Sequence, residues 1–289
     1  MKFYHIIPLI LLTCCGKTSS NNIVPTFAEG HNPGPNEKKW VMVDKLSDEF
    51  DGATLNESKW NNADPRGWRG RAPGLFVENT VSLNEGHLKI TNYQLDKSVV
   101  LNEETYTHAG GHLVSRKSAE VGQYFECKMK SSKTFMSSTF WLINEMKEME
   151  GCDRRVTELD IQESVGQITT DAQWAQQFNR QMNSNTHSRH VTCEDSVGIL
   201  GSKGDLSGMA YDDFHVFGAW WKSPNEILFF LDGQLVNTVE PVADFNLPMY
   251  IRIVSETYDW NPTPPDGGMT GSTEDRTTYY DWVRVWELR

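Results

Sequence analysis

Short runs in which apolar and polar residues alternate recur along most of the chain. Such runs, bounded by Gly, Pro, Asn and Asp, are typical of β-strands with one buried face. Many short strands of this kind indicate an all-β sandwich or barrel built from antiparallel sheets. The pattern predicts strands at residues 77–83, 87–93, 122–130, 139–143, 155–163, 214–221, 227–239, 249–256 and 278–287.

One turn and one helix are also predicted. Asp232-Gly233 lies inside the longest apolar run, and this dipeptide favours the positive φ angles of a tight hairpin turn. Helical signals are scarce elsewhere, and only residues 170–181 have a pattern that predicts a short helix. Because no internal repeat or second boundary is evident, we expect a single domain at residues 39–289.

The first 38 residues differ from the rest in composition. Residues 1–15 combine a basic start with a short apolar run that ends at Cys14-Cys15, which resembles the lipobox of bacterial lipoproteins. Cys14 or Cys15 would then carry the lipid, and an ordinary signal peptide is the alternative. Residues 16–38 are rich in Ser, Asn, Pro and Gly and predict a flexible linker.

This leader predicts an exported protein, on the outer membrane or cell surface or otherwise secreted. The apolar run is too short to span a bilayer as a helix, so membrane contact would occur only through the lipid. We expect a monomer. The formal net charge of −12 argues against nucleic acid as a partner.

The cysteines after the leader allow one disulfide. Cys127 lies in an alternating strand-like segment, which predicts a packed free thiol. Cys152 and Cys193 lie in polar, loop-like segments, and we predict that they pair, because exported proteins can form disulfides. No CxxC or His-rich spacing indicates a zinc site.

Three acids lie on one predicted strand: Glu158, Asp160 and Glu163. Residues two apart in a strand share a face, so Glu158 and Asp160 point to the same side. Glu163 is five residues after Glu158 and would face the other side of a regular strand. A β-bulge at Ile161–Gln162 would return Glu163 to the face of Glu158, and bulges recur beside active sites.

Three ionised carboxyls on one short stretch of sheet would repel each other. We therefore expect the cluster to retain a proton, which makes one carboxyl an acid at neutral pH. A retaining glycosidase needs two carboxyls roughly 5 Å apart, one as nucleophile and one as acid/base. The alternative is a solvent-facing strand whose acids are merely hydrated, and the spacing alone does not separate the two.

The segment from Glu158 to Glu163, ELDIQE in one-letter code, resembles the E-x-D-x-x-E signature of glycoside hydrolase family 16. Residues 47–50, 136–142 and 280–285 resemble further segments of that family. The resemblance implies a β-jelly-roll sandwich of two curved antiparallel sheets with an open concave substrate cleft. It also implies that Glu158 is the nucleophile, that Glu163 is the acid/base and that Asp160 tunes the nucleophile, with no cofactor for catalysis.

Aromatic and basic residues are the candidates for substrate binding. Sugars present flat apolar faces that stack on aromatic rings, so Trp68, Trp141 and Trp260 are candidate platforms. The loop at 64–74 holds Trp68 and three arginines, of which Arg69 and Arg71 are our candidates, with Arg154 before the carboxylate strand. This loop is either a hydrated basic loop or a subsite for a sulfated sugar, because the guanidinium fork matches sulfate oxygens.

The resemblance extends to the galactanase branch of the family, the β-agarases and β-porphyranases. Residues 182–189 and 255–261 resemble cleft-lining segments of that branch, which adds four substrate-binding candidates: Asn185, His187, Arg189 and Glu256. His187 could contact sugar, steady a carboxylate or lie in a surface loop. Arg154-Arg155 and the Trp68-Arg69 loop are more similar to β-porphyranases, which accept 6-sulfated galactose.

The expected function is endo-hydrolysis of β-1,4-galactosidic bonds in a red-algal sulfated galactan, porphyran, through a covalent glycosyl-enzyme intermediate. The partner would be a galactan polysaccharide or oligosaccharide. The alternatives are a β-agarase on unsulfated agarose, a non-catalytic glycan-binding surface lipoprotein, and a transglycosylase. The resemblance also implies one structural calcium remote from the chemistry, held by Glu49, the backbone of Gly86 and Asp281, whose oxygens suit this ion.

Overall fold

The structure is a computed structural model that describes residues 23–145, 150–151, 154–189 and 197–289. Strands make up nearly all of its regular structure, which confirms the all-β prediction. Within these ranges, no helix is long and apolar enough to cross a membrane. Cys14, Cys15, Cys152 and Cys193 lie outside the described residues, so the lipidation and disulfide predictions stay predictions. Cys127 is a buried free thiol, as its strand pattern predicts.

The strands follow each other along the whole described chain. In chain order they are β1 (Trp40–Met42), β2 (Trp60–Asn61), β3 (Gly74–Phe76), β4 (Val81–Asn84), β5 (His87–Thr91), β6 (Tyr93–Leu101), β7 (Glu104–Gly110), β8 (His112–Ser115), β9 (Tyr124–Lys130), β10 (Ser137–Asn144), β11 (Val156–Val165), β12 (Gln181–Arg189), β13 (Gly198–Asp205), β14 (His215–Ser223), β15 (Glu226–Leu231), β16 (Gln234–Val239), β17 (Met249–Val254) and β18 (Thr277–Leu288).

The described strands form two large antiparallel sheets and one small sheet. The first, which we call the cleft sheet, has seven strands in the order β13-β12-β11-β10-β17-β8-β2. The second, the outer sheet, has eight strands, in the order β16-β15-β14-β9-β18-β5-β4 with β1 added on β18. A three-stranded sheet, β3-β7-β6, stands beside them, and its β3–β7 pair is parallel.

The core lies between the two large sheets. Every second residue of the central strands points into it, as the period of a strand requires. The cleft sheet contributes Phe140, Leu142, Leu159, Ile161, Ile251 and Ile253, and the outer sheet contributes Phe125, Phe217, Phe229 and Val285. The opposite face of the cleft sheet is left free of core packing, and its polar side chains are the ones that can form a site.

Part of the other face of the outer sheet is also buried, because the chain before β1 covers it. Residues 23–28, which we call the N-terminal strap, lie against a second apolar cluster that includes Tyr124, Trp220, Phe230 and Trp286. The Phe27 ring stacks on Tyr124 with 4.7 Å between ring centroids, and the Ala28 N–H donates to the Gly233 carbonyl at 2.9 Å. Ile23 and Phe27, which belong to the segment predicted as a flexible linker, residues 16–38, thus pack against the domain.

The predicted hairpin is present between β15 and β16, and Asp232 and Gly233 adopt φ angles of 49° and 79°. The predicted helix at 170–181 is wrong in extent: only Gln173–Ala175 form a 3-10 turn, and β12 starts at Gln181. A segment this short is not a stable helix by itself. Trp174 and Phe178 instead pack their rings against Trp260.

Candidate active site

The bulge predicted in the carboxylate strand is present. The pairing of β10 with β11 shifts its register between Phe140 and Trp141, which leaves Ile161 as the extra residue on β11. Ile161 is buried in the core. The predicted catalytic carboxyls, Glu158, Asp160 and Glu163, consequently line the same cavity.

This cavity, the central cavity, lies on the free face of the cleft sheet and has a volume of about 290 Å³. Arginines, aromatic rings and carboxyls meet in it. The residues that line it are Arg66, Trp68, Arg71, Thr139, Trp141, Ile143, Glu158, Asp160, Glu163, Arg189, Glu256 and Tyr258. They come from the three strands β10, β11 and β12 and from two loops, so the cavity exists only in the folded chain.

Both oxygens of the Glu163 carboxyl have hydrogen-bond donors. The Tyr258 hydroxyl donates to Oε1 at 2.7 Å, and Asn185 Nδ2 donates to Oε2 at 2.9 Å. The Tyr258 oxygen also lies 3.3 Å from Thr139 Oγ1, where either hydroxyl can be the donor. A proton on Oε1 of Glu163 could therefore be donated to Tyr258 while the tyrosine proton turns to Thr139. The surroundings accommodate both protonation states, as an acid/base requires.

Glu158 and Asp160 are both buried and shift each other's pKa. Burial raises the pKa of Glu158 to about 7, the charge of Asp160 acts in the same direction, and Arg189 and His187 oppose it. Arg189 forms an ion pair with Glu158. Burial also raises the pKa of Asp160 well above its usual range, and the charge of Glu163 is the second cause. The cluster therefore keeps a proton at neutral pH, as crowded carboxyls require.

The His187 ring lies against these two carboxyls. Its Nε2 is 2.9 Å from Oδ2 of Asp160 and 3.8 Å from Oε1 of Glu158. Burial lowers the pKa of His187, so its ring is neutral at neutral pH. A neutral Nε2 can accept the proton that Asp160 holds or donate to the ionised carboxyl. Of the roles expected for His187, this geometry matches the one that steadies a carboxylate.

Glu256 adds a fourth carboxyl to the central cavity. Burial raises the pKa of Glu256 to about 8, and the nearby Arg71 opposes the shift. The two side chains are 3.7 Å apart, measured from Nε of Arg71 to Oε2 of Glu256. Arg71 is about two-fifths exposed, so part of its guanidinium faces the cavity. This pair offers a charged group and a protonated carboxyl to a ligand.

Two tryptophans form one wall of the central cavity. The Trp68 ring meets the Trp141 ring edge to face, with 6.2 Å between centroids and an interplanar angle of 88°. Trp141 Nε1 is buried and has no hydrogen-bond partner among the described residues. Behind Trp141, the guanidinium of Arg252 lies 5.5 Å from the ring centroid.

Arg252 belongs to a buried polar group beneath the cavity that the sequence pattern does not show. Its Nη1 lies 3.0 Å from Oδ2 of Asp64 and 2.8 Å from Nε2 of His112. Arg66 bonds the same Asp64 carboxyl at 3.3 Å. This group ties the loop that holds Trp68 to the cleft sheet through β17.

The structure separates the predicted substrate-binding residues into two groups. Trp68, Arg71, Trp141, Arg189 and Glu256 line the central cavity. Asn185 and His187 contact its carboxyls, and Trp260 stacks on Tyr258, 5.2 Å away.

Two predicted residues are not brought to the central cavity. Arg69 lines a different, smaller cavity behind Trp68. Arg154 is exposed just before β11 and is not among the described residues that line the central cavity. Alternate residues of an irregular loop do not share a face as strand residues do, so the sequence could not separate Arg69 from Arg71.

Sequence reasoning did not select four residues of the cavity as site residues: Arg66, Thr139, Ile143 and Tyr258. The sequence does contain a signal for Arg66, because Arg66 belongs to the same arginine-rich loop as Arg71. Tyr258 lies in the segment that resembles a cleft-lining segment of the galactanase branch. Its contact with Glu163, however, joins residues 95 positions apart.

Three possible metal-ligand atoms, one each from Glu158, Asp160 and His187, lie within 4.8 Å of one another. Among the described residues, this is the group of three side chains whose spacing could hold a metal ion. Arg189 is already paired with Glu158, and the raised pKa values place a proton in the group. Proton sharing among the carboxyls accounts for this arrangement.

The residues of the expected calcium site have cationic neighbours. Glu49 forms a two-point ion pair with Arg284, at 2.8 and 2.9 Å, and Asp281 lies 3.0 Å from the Lys128 ammonium. Both carboxylates therefore have a cationic partner in the structure. The calcium stays a prediction, and no catalytic step depends on it.

A two-sheet β-sandwich with an aromatic and arginine-lined cleft, in which a bulged strand brings two carboxyls to one side, defines a glycoside hydrolase. Comparison with known proteins gives the family. Residues 40–288 match the family model described as the β-porphyranase A–D domain of glycoside hydrolase family 16. The chain belongs to this family.

Individual relatives agree with the family. The chain is 56% identical to β-porphyranase B of Zobellia galactanivorans, over 91% of this chain and 90% of that protein. It is 37% identical to β-porphyranase B of Phocaeicola plebeius, over 94% of this chain and 93% of the relative. The crystal structure of porphyranase B from Z. galactanivorans superposes with a TM-score of 0.90 at 55% identity, covering 92% of this chain and 99% of that one. The jelly-roll prediction is thereby confirmed.

Proposed function

We propose that this protein is an endo-acting, retaining β-porphyranase that hydrolyses β-1,4-galactosidic bonds of sulfated red-algal galactan. One observation carries the proposal: the bulge at Ile161 places Glu158 and Glu163 in the same cavity, beside Arg71 and Trp68. The family and the named relatives supply the substrate class.

In this mechanism Glu158 attacks the anomeric carbon while Glu163 protonates the oxygen of the leaving sugar. The Glu163 carboxylate then removes a proton from the water that hydrolyses the glycosyl-enzyme bond. Tyr258 and Asn185 hold the two Glu163 oxygens during both steps. Asp160 and Glu158 share the proton that the cluster keeps, because the charge of Asp160 raises the pKa of Glu158, and the paired Arg189 favours the ionised nucleophile.

The form of the cleft supports attack within a chain. Further cavities lie on both sides of the central one: one at the β12–β13 edge and one beside Arg66, Arg116 and Tyr250 at the β2–β8 edge. The three follow the width of the cleft sheet. A groove that is open at both ends accepts the middle of a polysaccharide, whereas a closed pocket accepts only a chain end.

The catalytic assignment is tested with Glu158→Gln and Glu163→Gln. Each variant should lose porphyran turnover by on the order of a thousandfold or more while it still binds porphyran oligosaccharides. Glu240→Gln, which changes an exposed carboxyl after β16, is the matched control and should keep full activity. Full turnover by Glu158→Gln would refute its role, and binding by the wild type without release of reducing ends would identify a non-catalytic glycan-binding protein.

The substrate assignment is tested with porphyran and desulfated agarose in parallel. We expect faster cleavage of porphyran, because the Arg71 guanidinium faces the central cavity. Arg71→Met should reduce kcat/KM on porphyran roughly tenfold or more and leave agarose less affected. Arg69→Met is the matched control from the same loop and should change neither value, since Arg69 lies in another cavity.

Each outcome of the substrate test identifies one activity. Cleavage of agarose alone would make the protein a β-agarase, and inactivity on both polymers would remove the galactan assignment. Transfer of the sugar to another glycan, instead of to water, would appear as products longer than the substrate.

We also propose that the protein is exported and carries a lipid on Cys14 or Cys15. The strap at residues 23–28 enters on the outer sheet, whereas the cleft lies on the other sheet. A lipid so close in sequence to the strap would hold the outer sheet towards the membrane and leave the cleft accessible to a polymer. Mass spectrometry of the membrane-extracted protein tests this: an unmodified N-terminal peptide would contradict it.

A further inference from the structure

A second cavity continues the groove at the β12–β13 edge of the cleft sheet. It has a volume of about 360 Å³ and is lined by Trp174, Phe178, Asn183, Ser184, Asn185, Gly201, Ser202 and Lys203. Asn185 connects it to the central cavity, because the Asn185 amide donates to Oε2 of Glu163. A chain bound across Glu163 would therefore reach this second cavity next.

Strand register shows what forms the floor of this cavity. Asn185 pairs with Gly201, and Asn183 pairs with Lys203, across β12 and β13. Directly paired residues share a face of a sheet, so Gly201 lies beside Asn185 on the cleft side. A Cβ at Gly201 would lie 2.8 Å from Oδ1 of Asn185 and 2.9 Å from the Ser184 carbonyl oxygen. Glycine here leaves the floor open and leaves the Asn185 amide free to hold Glu163.

An exposed tryptophan forms one wall. The Trp174 side chain is 53% exposed, which leaves a large apolar surface in water. Its ring is supported from behind, because it meets the Trp260 ring at 4.9 Å and Trp260 stacks in turn on Tyr258 at 5.2 Å. A supported but exposed ring beside a groove provides a preformed surface for the apolar face of a sugar.

Polar groups complete the cavity. Asn183 is only 3% exposed, and its Oδ1 is buried without a hydrogen-bond partner among the described residues. Its amide nitrogen, by contrast, donates to the backbone carbonyls of Glu163 and Phe178 at 3.1 and 3.3 Å. A buried acceptor without a donor is unfavourable, and a sugar hydroxyl would satisfy it. Lys203 is exposed on the same face and supplies a positive charge.

We propose that this cavity is a distal subsite that binds one galactan unit with an acidic substituent. Trp174 stacks on the sugar ring, Asn183 accepts a hydroxyl proton, Gly201 provides the open floor and Lys203 binds the acidic group. The proposal rests on the galactanase function proposed above. Trp174 would then determine which substrate lengths the enzyme prefers, and Lys203 which substituent it prefers. Both would act at a position remote from the bond that is cleaved.

The test measures kcat/KM on porphyran oligosaccharides of increasing length. For the wild type, kcat/KM rises by a step at the length that first fills the distal subsite. Trp174→Ala should remove this step, a loss of roughly tenfold on longer substrates, and leave shorter substrates unchanged. Trp174→Phe keeps an aromatic ring and should restore most of the step, which separates stacking from a change in the fold.

Lys203→Gln should lower the step for sulfated oligosaccharides and leave it unchanged for desulfated ones, because only the former carry the acidic group. Lys222→Gln, which changes an exposed lysine on the outer sheet, is the matched control and should match the wild type. If the wild type cleaves porphyran and Trp174→Ala keeps the step unchanged, the subsite alone is overturned. Absence of galactan cleavage by the wild type overturns the proposed function instead.

Discussion

The Tyr258 hydroxyl donates a 2.7 Å hydrogen bond to Oε1 of Glu163, across 95 positions of sequence. Tyr258 follows β17, and Glu163 lies after the bulge of β11, two strands away in the cleft sheet. The same hydroxyl is 3.3 Å from Thr139 Oγ1. Tyr258 is therefore placed to support Glu163, the proposed acid/base, in both its protonated and its ionised form.

Tyr258→Phe should lower kcat on porphyran by roughly ten- to a hundredfold, because a hydrogen bond to a charged group contributes about 1.5–3 kcal/mol. The phenylalanine ring can still stack on Trp260, so substrate affinity should change little. Steady-state kinetics, with binding measured in a Glu158→Gln background, separate the two effects. An unchanged kcat would show that the hydrogen bond is not used in catalysis.

Asp160→Asn should move the acid limb of the kcat/KM profile to lower pH. The nucleophile must be ionised, and the Asp160 charge is the second cause that raises the pKa of Glu158 to about 7. Without that charge the pKa of Glu158 falls, so the active form persists to lower pH. The pH dependence of kcat/KM measures the shift, and a limb that does not move would contradict this account.

Arg189→Met should move the same acid limb in the opposite direction. The Arg189 guanidinium is paired with Glu158 and holds the pKa of that carboxyl down. Its removal raises the pKa of Glu158 above about 7, so activity is lost at a higher pH than in the wild type. Shifts of the same sign in the Asp160 and Arg189 variants would exclude Glu158 as the group that titrates.

Asp64→Asn should lower the free energy of unfolding by about 3 kcal/mol, because it leaves a buried guanidinium without its counter-charge. The side chains of Asp64 and Arg252 are both fully buried, 3.0 Å apart. Thermal or urea unfolding measures the loss. A change below about 1 kcal/mol would show that His112 and Glu145 suffice to balance the Arg252 charge.

Glu126 should make the protein less stable as the pH rises from about 5 to 8. Burial raises the pKa of Glu126 from its usual 4.5 to about 7, although Thr26 N–H, Trp286, Tyr124 and Arg284 oppose the shift. The folded state therefore binds this proton more tightly than the unfolded chain does. The stabilisation is complete below pH 4.5 and is lost as the pH passes 7, an effect of about 3 kcal/mol.

Glu126→Gln removes this titration. The difference in unfolding free energy between the wild type and Glu126→Gln should therefore depend on pH between 5 and 8, although Glu158 and Glu256 contribute to the slope of both proteins. Urea unfolding at several pH values measures that difference. Parallel curves for the two proteins would contradict the assignment.

The sequence by itself determined the strands with a clear apolar period and the catalytic motif. The strands β9, β10, β11, β14 and β18 lie where the apolar pattern predicts them, to within two residues at either end. The bulge was also predictable from the sequence. The expected function requires the three acids to share a face of the strand, and only an extra residue in the strand allows this. The strands β12 and β13 were missed, because they are polar and largely lie in the cleft.

Only the tertiary structure decided which side chains meet. It placed Arg71 in the central cavity and Arg69 outside it, although both belong to one loop. It brought Tyr258 to Glu163, and it packed Phe27 of the expected linker onto Tyr124 of the outer sheet. Local periodicity records which face of a strand is buried, whereas contacts between distant segments depend on sheet order and loop path. Those are fixed when the whole chain buries its apolar surface together.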